Sequence, residues 1–87
     1  MTVYYHPHFQ RSWRRLDRQI RERVEEKVAL FRRDPFHIRL DTHRLHGKLK
    51  RFWSFSVDGR YRILFEFLDK TKTEAVFLDV GDHRIYR

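Results

Sequence analysis

The sequence contains no cysteine among its 87 residues, so neither a disulfide nor a thiolate metal site can stabilise the fold. It has no apolar run close to the roughly eighteen residues that a membrane-spanning helix needs. The opening residues, MTVYYHPHF, lack the charged and then apolar layout of a secretory signal. These absences predict a cytoplasmic protein whose stability comes from the packing of an ordinary core.

Glycine and proline are scarce, with three and two copies, and the chain has no repeat and no glycine- or serine-rich linker. A chain of this length can close one hydrophobic core and is too short for two. Hydrophobic residues make up 40% of the chain and aromatic residues 16%, which is enough to fold despite the 37% of charged residues. We therefore expect a single domain over residues 1–87.

Positive charge is abundant, because twenty Lys and Arg face twelve Asp and Glu, for a net charge of +8. The basic residues are spread along the chain instead of forming a detachable tail. Such a surface attracts polyanions through counterion release and electrostatic steering. Nucleic acid or an acidic protein is the expected partner, although charge alone does not separate binding from cleavage.

Two helices are predicted in the first half of the chain, after a short strand at TVYY. The first has Phe9, Trp13 and Leu16 on one face. The second runs from about Asp17 to Arg33 and is ended by Asp34-Pro35. Its apolar residues keep the same spacing: Ile20, Val24, Val28 and Phe31.

The second half changes to the two-residue period of strands, after an irregular basic connection, HIRLDTHRLHGKLKR. Residues from Phe52 alternate up to an Asp58-Gly59 turn, a return strand follows, and EAVFLDV forms an interior strand that Gly81 ends. The predicted fold is α+β, an N-terminal helical hairpin packed on a small antiparallel sheet whose other face is open to a ligand. The expected core residues are Val24, Val28, Trp53, Phe55, Ile63, Phe65 and Phe77.

The runs FWSFSVDGRYRILFEF and VFLDVGDHRIYR resemble the second half of RelE/ParE-superfamily toxins, closest to the YafQ and YoeB branches. The strongest matches are Leu45-His46-Gly47, Trp53, Tyr61-Arg62, and the closing Gly81, His83 and Tyr86. The resemblance implies a microbial-RNase-like fold and a metal-independent endoribonuclease that needs no cofactor. It also implies that the protein cuts ribosome-bound mRNA, inhibits translation and is held in a hetero-oligomer by a cognate antitoxin.

The resemblance assigns catalytic roles to four residues. Arg62 matches an arginine on the scissile phosphate, and His83 matches a C-terminal catalytic histidine. Tyr86 matches a terminal aromatic that stacks on or positions a base, and His46 matches a histidine near the cleaved bond. Other basic residues around these positions are expected to contact the RNA: His43, Lys48, Lys50, Arg51 and Arg60.

The sequence departs from the family at the general base. The positions of the paired lysines of RelE correspond to Trp53 and Phe55 in this sequence, so the lysine-based catalysis of that branch is not available. His46 is the first choice for the base and His43, near the position of the YoeB glutamate, is the second.

The residues themselves suit RNA cleavage, which needs a base for the 2′-hydroxyl, a charge on the phosphate and an acid for the 5′-oxygen. Histidine exchanges protons near neutrality, and the planar arginine fork suits a phosphate. Each residue also has a structural interpretation. Arg62 would form an ion pair with Glu66, His46 would bond a loop carbonyl, His83 would be solvated, and Tyr86 would dock on the core.

Two other functions stay open from sequence. One is a ParE-like toxin that inhibits DNA gyrase, and the other is a non-catalytic relative that only binds its antitoxin. A metal site at His6 and His8 is disfavoured, because no cysteine or carboxylate lies at ligand spacing.

Overall fold

Two helices pack on a five-stranded sheet in the computed structural model, which describes residues 1–86. The main elements are β1 (Thr2–Tyr5), α1 (Pro7–Arg15), α2 (Arg18–Arg33), β2 (His43–Arg44), β3 (Trp53–Ser56), β4 (Arg62–Phe67) and β5 (Glu74–Gly81). Three short 3-10 helices, Ile38–Leu40, Gly47–Leu49 and His83–Tyr86, complete the chain. The predicted α+β fold is confirmed.

Helix α2 covers the range that the sequence predicts, whereas α1 ends one residue before Leu16, which was placed on its apolar face. Pro7 occupies the first turn of α1, and the Asp17 carboxylate caps α2 by accepting a hydrogen bond of 3.0 Å from the Ile20 amide. Asp34 ends α2, with its amide donating to the Leu30 carbonyl. Within residues 1–86, neither helix is long and apolar enough to cross a membrane.

The sheet has the order β1-β5-β4-β3-β2. Its pairs are antiparallel except for β1 and β5, which run parallel, so the prediction of an antiparallel sheet is right for all but this pair. The strand β5 lies between β1 and β4, as its apolar content predicts. The strand β2 was not predicted, because a strand of two residues, His43 and Arg44, is too short to show an alternating pattern.

The turn between β3 and β4 is organised by Asp58. Its carboxylate accepts hydrogen bonds of 2.8 Å from the amides of both Arg60 and Tyr61, which closes the connection over residues 57–61. The predicted hairpin around Asp58-Gly59 is therefore confirmed.

Phenylalanine rings fill the core between the helices and the sheet. Phe31 of α2 stacks on Phe55, with ring centroids 4.7 Å apart, and meets the edges of Phe65 and Phe77 at 5.0 and 5.4 Å. All four rings are fully buried. Of the predicted core residues only Trp53 differs, since it is half-buried. The Trp53 indole lies at the rim of the core, 5.7 Å from the half-exposed ring of Phe36.

Candidate functional site

The register of the sheet turns Arg62 away from the helices. Phe55, Ile63 and Val80 are aligned across β3, β4 and β5, and all three are buried in the core. Arg62 is next to Ile63 in β4, and successive side chains in a strand point to opposite faces. Arg62 thus projects from the open face of the sheet, where 29% of its side chain is exposed.

Asp41 is the ion-pair partner of Arg62. The Arg62 Nη2 donates to Asp41 Oδ2 at 3.1 Å, and its Nη1 makes a longer contact of 3.5 Å with the Oγ of the buried Ser54. The alternative partner considered from sequence, Glu66, is not the one used. Asp41 was not predicted as a partner, because it lies in the connection, which shows no hydrophobic period.

The backbone of Asp41 explains this contact. Asp41 ends the 3-10 helix Ile38–Leu40 in a left-handed conformation, with a φ of 48°. Aspartate tolerates this region better than most residues other than glycine. The preceding Leu40 is fully buried and anchors the segment in the core. The carboxylate is consequently held over the open face.

His43 is attached to the same residue. Its Nδ1 lies 2.8 Å from the main-chain oxygen of Asp41. A carbonyl oxygen only accepts hydrogen bonds, so Nδ1 must carry the proton and the Nε2 of the neutral ring keeps its lone pair. His43 is exposed and is paired across the sheet with Ser54. Asp41 therefore holds Arg62 through its carboxylate and His43 through its carbonyl.

His46 lies farther along the same connection, before the 3-10 helix Gly47–Leu49. Its side chain is exposed and does not cap that helix. Within residues 1–86, no hydrogen bond joins it to Arg62 or His83. The structure thus brings His43, and not His46, into direct contact with the residue that holds Arg62.

The other residues predicted to contact RNA make no hydrogen bond to Asp41, His43 or Arg62 among the described residues. Lys48 and Lys50 are exposed, and the Arg51 guanidinium lies 4.8 Å from the centre of the Phe52 ring. Arg60 lies over the ring of Tyr61, with its Nη2 4.0 Å from Asp82. These four exposed side chains add positive charge to the protein surface.

The C-terminal 3-10 helix starts beside Arg62, because Arg62 and Gly81 are Cα partners in the sheet. Arg84 donates hydrogen bonds from Nε and Nη2 to the Asp82 carboxylate, at 3.0 and 2.9 Å. This pairing holds the pKa of the Asp82 carboxyl well below its usual range. The exposed His83 lies between these two residues.

Gly81 is required for this path of the chain. A Cβ atom built on Gly81 would lie 2.7 Å from the Cγ2 of Ile85, much closer than carbon atoms normally approach. Because Gly81 has no side chain, the 3-10 helix His83–Tyr86 can pack back against it. This packing determines the position of His83.

Tyr86 is half-buried, and its hydroxyl is fully buried without a hydrogen-bond partner in residues 1–86. This placement agrees with an aromatic residue that docks on the protein. Stacking on an RNA base would need the ring to present a face to solvent.

Two other features lie away from the open face. A groove of about 480 Å³ between β1, α1 and α2 has an apolar floor that includes Phe9 and Trp13, with Arg14 and Arg32 among its lining residues. On α1, His8 Nε2 lies 3.1 Å from Asp79 Oδ2. Among the described residues no three acidic, histidine or cysteine side chains form a group able to hold a metal.

Comparison with family models gives one match that spans nearly the whole chain. Residues 3–86 match the ParE toxin of the type II toxin–antitoxin system parDE. The chain belongs to this family. It is accordingly a type II toxin of the RelE/ParE superfamily, as the motifs of its second half indicate. No curated protein matches the chain.

Solved structures share the same fold. The YoeB/ParE toxin from Agrobacterium tumefaciens has a TM-score of 0.77 at 16% identity, covering 95% of this chain and 99% of that one. A chain of the RelBE2 toxin–antitoxin complex from Mycobacterium tuberculosis has a TM-score of 0.77 at 26% identity, and the match covers 94% of this chain and 96% of that one. YafQ from E. coli has a TM-score of 0.77 at 14% identity, and the match covers 97% of this chain and 94% of YafQ.

Proposed function

We propose that this toxin is a metal-independent endoribonuclease that cuts mRNA, with ribosome-bound mRNA as the substrate. The observation that carries the proposal is the attachment of Arg62 and His43 to one residue, Asp41, on the open face of the sheet. A fixed cation and a histidine with a free ring nitrogen are two of the three groups that the reaction needs. We place the reaction in the cytoplasm, where ribosomes translate mRNA.

The three chemical roles are divided between three side chains. Arg62 binds the scissile phosphate with its planar guanidinium and stabilises the charge that builds up on it. His43 takes the proton from the 2′-hydroxyl through Nε2, the nitrogen that its bond to Asp41 leaves unprotonated, and the 2′-oxygen forms a bond to phosphorus as the 5′-oxygen leaves. His83 is the acid that protonates the 5′-oxygen as the bond to phosphorus breaks.

This division revises the preference for His46 as the general base. His46 is exposed and has no contact that orients its ring, whereas His43 is oriented by the Asp41 carbonyl. The exposed His46, Lys48, Lys50, Arg51 and Arg60 contribute positive charge or polar contacts that attract RNA. Tyr86, whose hydroxyl is buried, supports the C-terminal segment instead of stacking on a base. Alanine at position 43 should abolish cleavage more completely than alanine at position 46.

The partner that restrains the toxin is a cognate antitoxin with an acidic segment. The net charge of +8 favours such a partner, and RelBE2 and the DinJ–YafQ complex of E. coli are toxin–antitoxin complexes of the same fold. We expect the antitoxin to cover the open face in a hetero-oligomer. Good yield on co-expression with the neighbouring gene, and poor yield alone, is the expected result.

The decisive experiment removes His83. His83→Ala should remove most RNA cleavage, because the loss of a general acid costs about 10²–10⁴-fold in rate. The fold should stay intact, since His83 is exposed. Toxin would be induced in cells, new mRNA 5′-ends mapped and thermal melts compared. Lys70→Ala, which truncates another exposed side chain in the turn between β4 and β5, is the control and should cut RNA normally.

The family model favours a second candidate, inhibition of DNA gyrase, because the matched family is ParE. Purified gyrase would therefore be assayed in parallel. Gyrase inhibition by the wild type and by His83→Ala, without new RNA ends, would contradict the endoribonuclease and support this second candidate. Toxicity with neither activity would contradict both.

A further inference from the structure

The ion pair between Arg62 and Asp41 places a negatively charged carboxylate at a site proposed to bind the negatively charged phosphates of RNA. A phosphate that binds Arg62 would approach the donors that Asp41 now occupies. Arg62 is paired at 3.1 Å, and 68% of the Asp41 side chain is exposed, so an incoming anion has access to the pair. The carboxylate also repels any phosphate beside it.

We infer that the Asp41 carboxylate is a stand-in for the RNA phosphate: it holds the Arg62 guanidinium ready in the free toxin and is displaced when RNA binds. This inference rests on the proposed RNA-binding role of the open face. It makes Asp41 a positioning residue that weakens RNA binding while it keeps Arg62 in place. The ligand is the phosphodiester backbone of single-stranded RNA.

The geometry supports displacement over a permanent structural pair. The Asp41 main chain is fixed by the buried Leu40 and by its left-handed turn, whereas its side chain is largely exposed and, among the described residues, is hydrogen-bonded only to Arg62. The bond to His43 uses the main-chain oxygen, so it survives when the carboxylate moves away. Rotation of one side chain therefore frees Arg62 without disturbing His43.

The test is RNA binding by Asp41→Asn. Asparagine tolerates the left-handed backbone and retains the carbonyl that orients His43. The probe is a 2′-O-methyl oligoribonucleotide, which resists cleavage because its 2′-oxygen is blocked. Asp34→Asn is the matched control, since it makes the same change in net charge at the exposed end of α2.

Asp41→Asn should bind the probe about 1.4-fold to fivefold more tightly than Asp34→Asn, the range that one exposed ion pair provides. The extra gain should disappear when Arg62→Ala is present in both variants, because no guanidinium is then left to release. A merely structural role for Asp41 predicts no such dependence on Arg62. Asp41→Gly, which also suits the left-handed backbone, should repeat the gain.

Equal binding by the two asparagine variants would overturn the inference, as would a gain that persists without Arg62 or an absence of binding by every variant. The result is separable from the proposed function, because the probe cannot be cut. A wild-type toxin that binds this probe yet cleaves no mRNA, free or on ribosomes, would contradict the endoribonuclease. The Arg62-dependent gain would still support the stand-in.

Discussion

Alanine in place of Gly81 tests how strongly the position of the C-terminal segment controls activity. The new Cβ would lie 2.7 Å from Ile85 Cγ2, and ordinary contacts between carbon atoms are about 3.5–4.0 Å. The Ile85 methyl must therefore retreat by about 1 Å. Because Ile85 and His83 belong to the same 3-10 helix, the histidine should move by a similar amount. A misplacement of about 1 Å can lower an enzymatic rate by about 10²-fold.

The cost in stability should be much smaller than the loss of rate. Overpacking costs about 1–3 kcal/mol, and the lower entropy of the unfolded chain returns about 0.4–1 kcal/mol on changing Gly to Ala. Gly81 has no positive φ that would add strain. The net loss of at most about 2.6 kcal/mol leaves the protein folded at 25 °C, with a melting temperature lower by roughly 10–21 °C at most.

The assay compares kcat/KM for RNA cleavage with the thermal melt. We expect a rate loss approaching 100-fold in Gly81→Ala, with recovery in Gly81→Ala/Ile85→Ala, because that double variant removes the clashing methyl group. Ile85→Ala alone supplies the baseline. A Gly81→Ala protein with the wild-type rate, or a double variant as slow as the single one, would refute the argument that segment position limits the chemistry.

Two further predictions concern the phosphate site and the core. Arg62→Lys should lower cleavage of RNA by at least about tenfold with little change in the melting temperature, because an ammonium lacks the planar fork of the guanidinium; cleavage equal to wild type would rule out a bidentate contact with phosphate. Phe31→Ala should lower the free energy of unfolding by about 3–5 kcal/mol, since this fully buried ring contacts the rings of Phe55, Phe65 and Phe77. Denaturant titration measures that loss, and a value below about 1 kcal/mol would show that the ring cluster does not support the fold.

Sequence patterns predicted the helices and strands in which the spacing of apolar residues repeats over several turns or several residues. The helix α2 and the strands β4 and β5 are such elements, and the core residues predicted within them are all buried. Ala75 and Val80 of β5 are also buried but were not singled out, and the predicted core residue Trp53, in β3, is only half-buried. Local patterns carry no information on which distant strands pair, so the parallel pairing of β1 with β5 could not be foreseen. Leu40 was missed for a related reason, because a single apolar residue in a 3-10 helix forms no repeat.

The candidate site was predicted in part. The motifs singled out Arg62 and His83, whose positions follow from strand register and from the end of β5. Asp41 was not predicted, since its effect depends on a left-handed backbone that the sequence does not display. The choice between His43 and His46 also needed the structure, because only a hydrogen bond distinguishes two exposed histidines three residues apart.

The pairing of the first strand with the last one has a consequence for the timing of folding during synthesis. Thr2 is in register with Glu74, and β5 supplies Ala75, Phe77 and Val80 to the core. Until these residues emerge, the sheet lacks an interior strand and β1 lacks its neighbour. Such contacts between distant parts of a chain form late and slowly. The toxin should consequently acquire its folded core only after residues 74–81 have emerged, so a nascent chain that lacks β5 should be inactive.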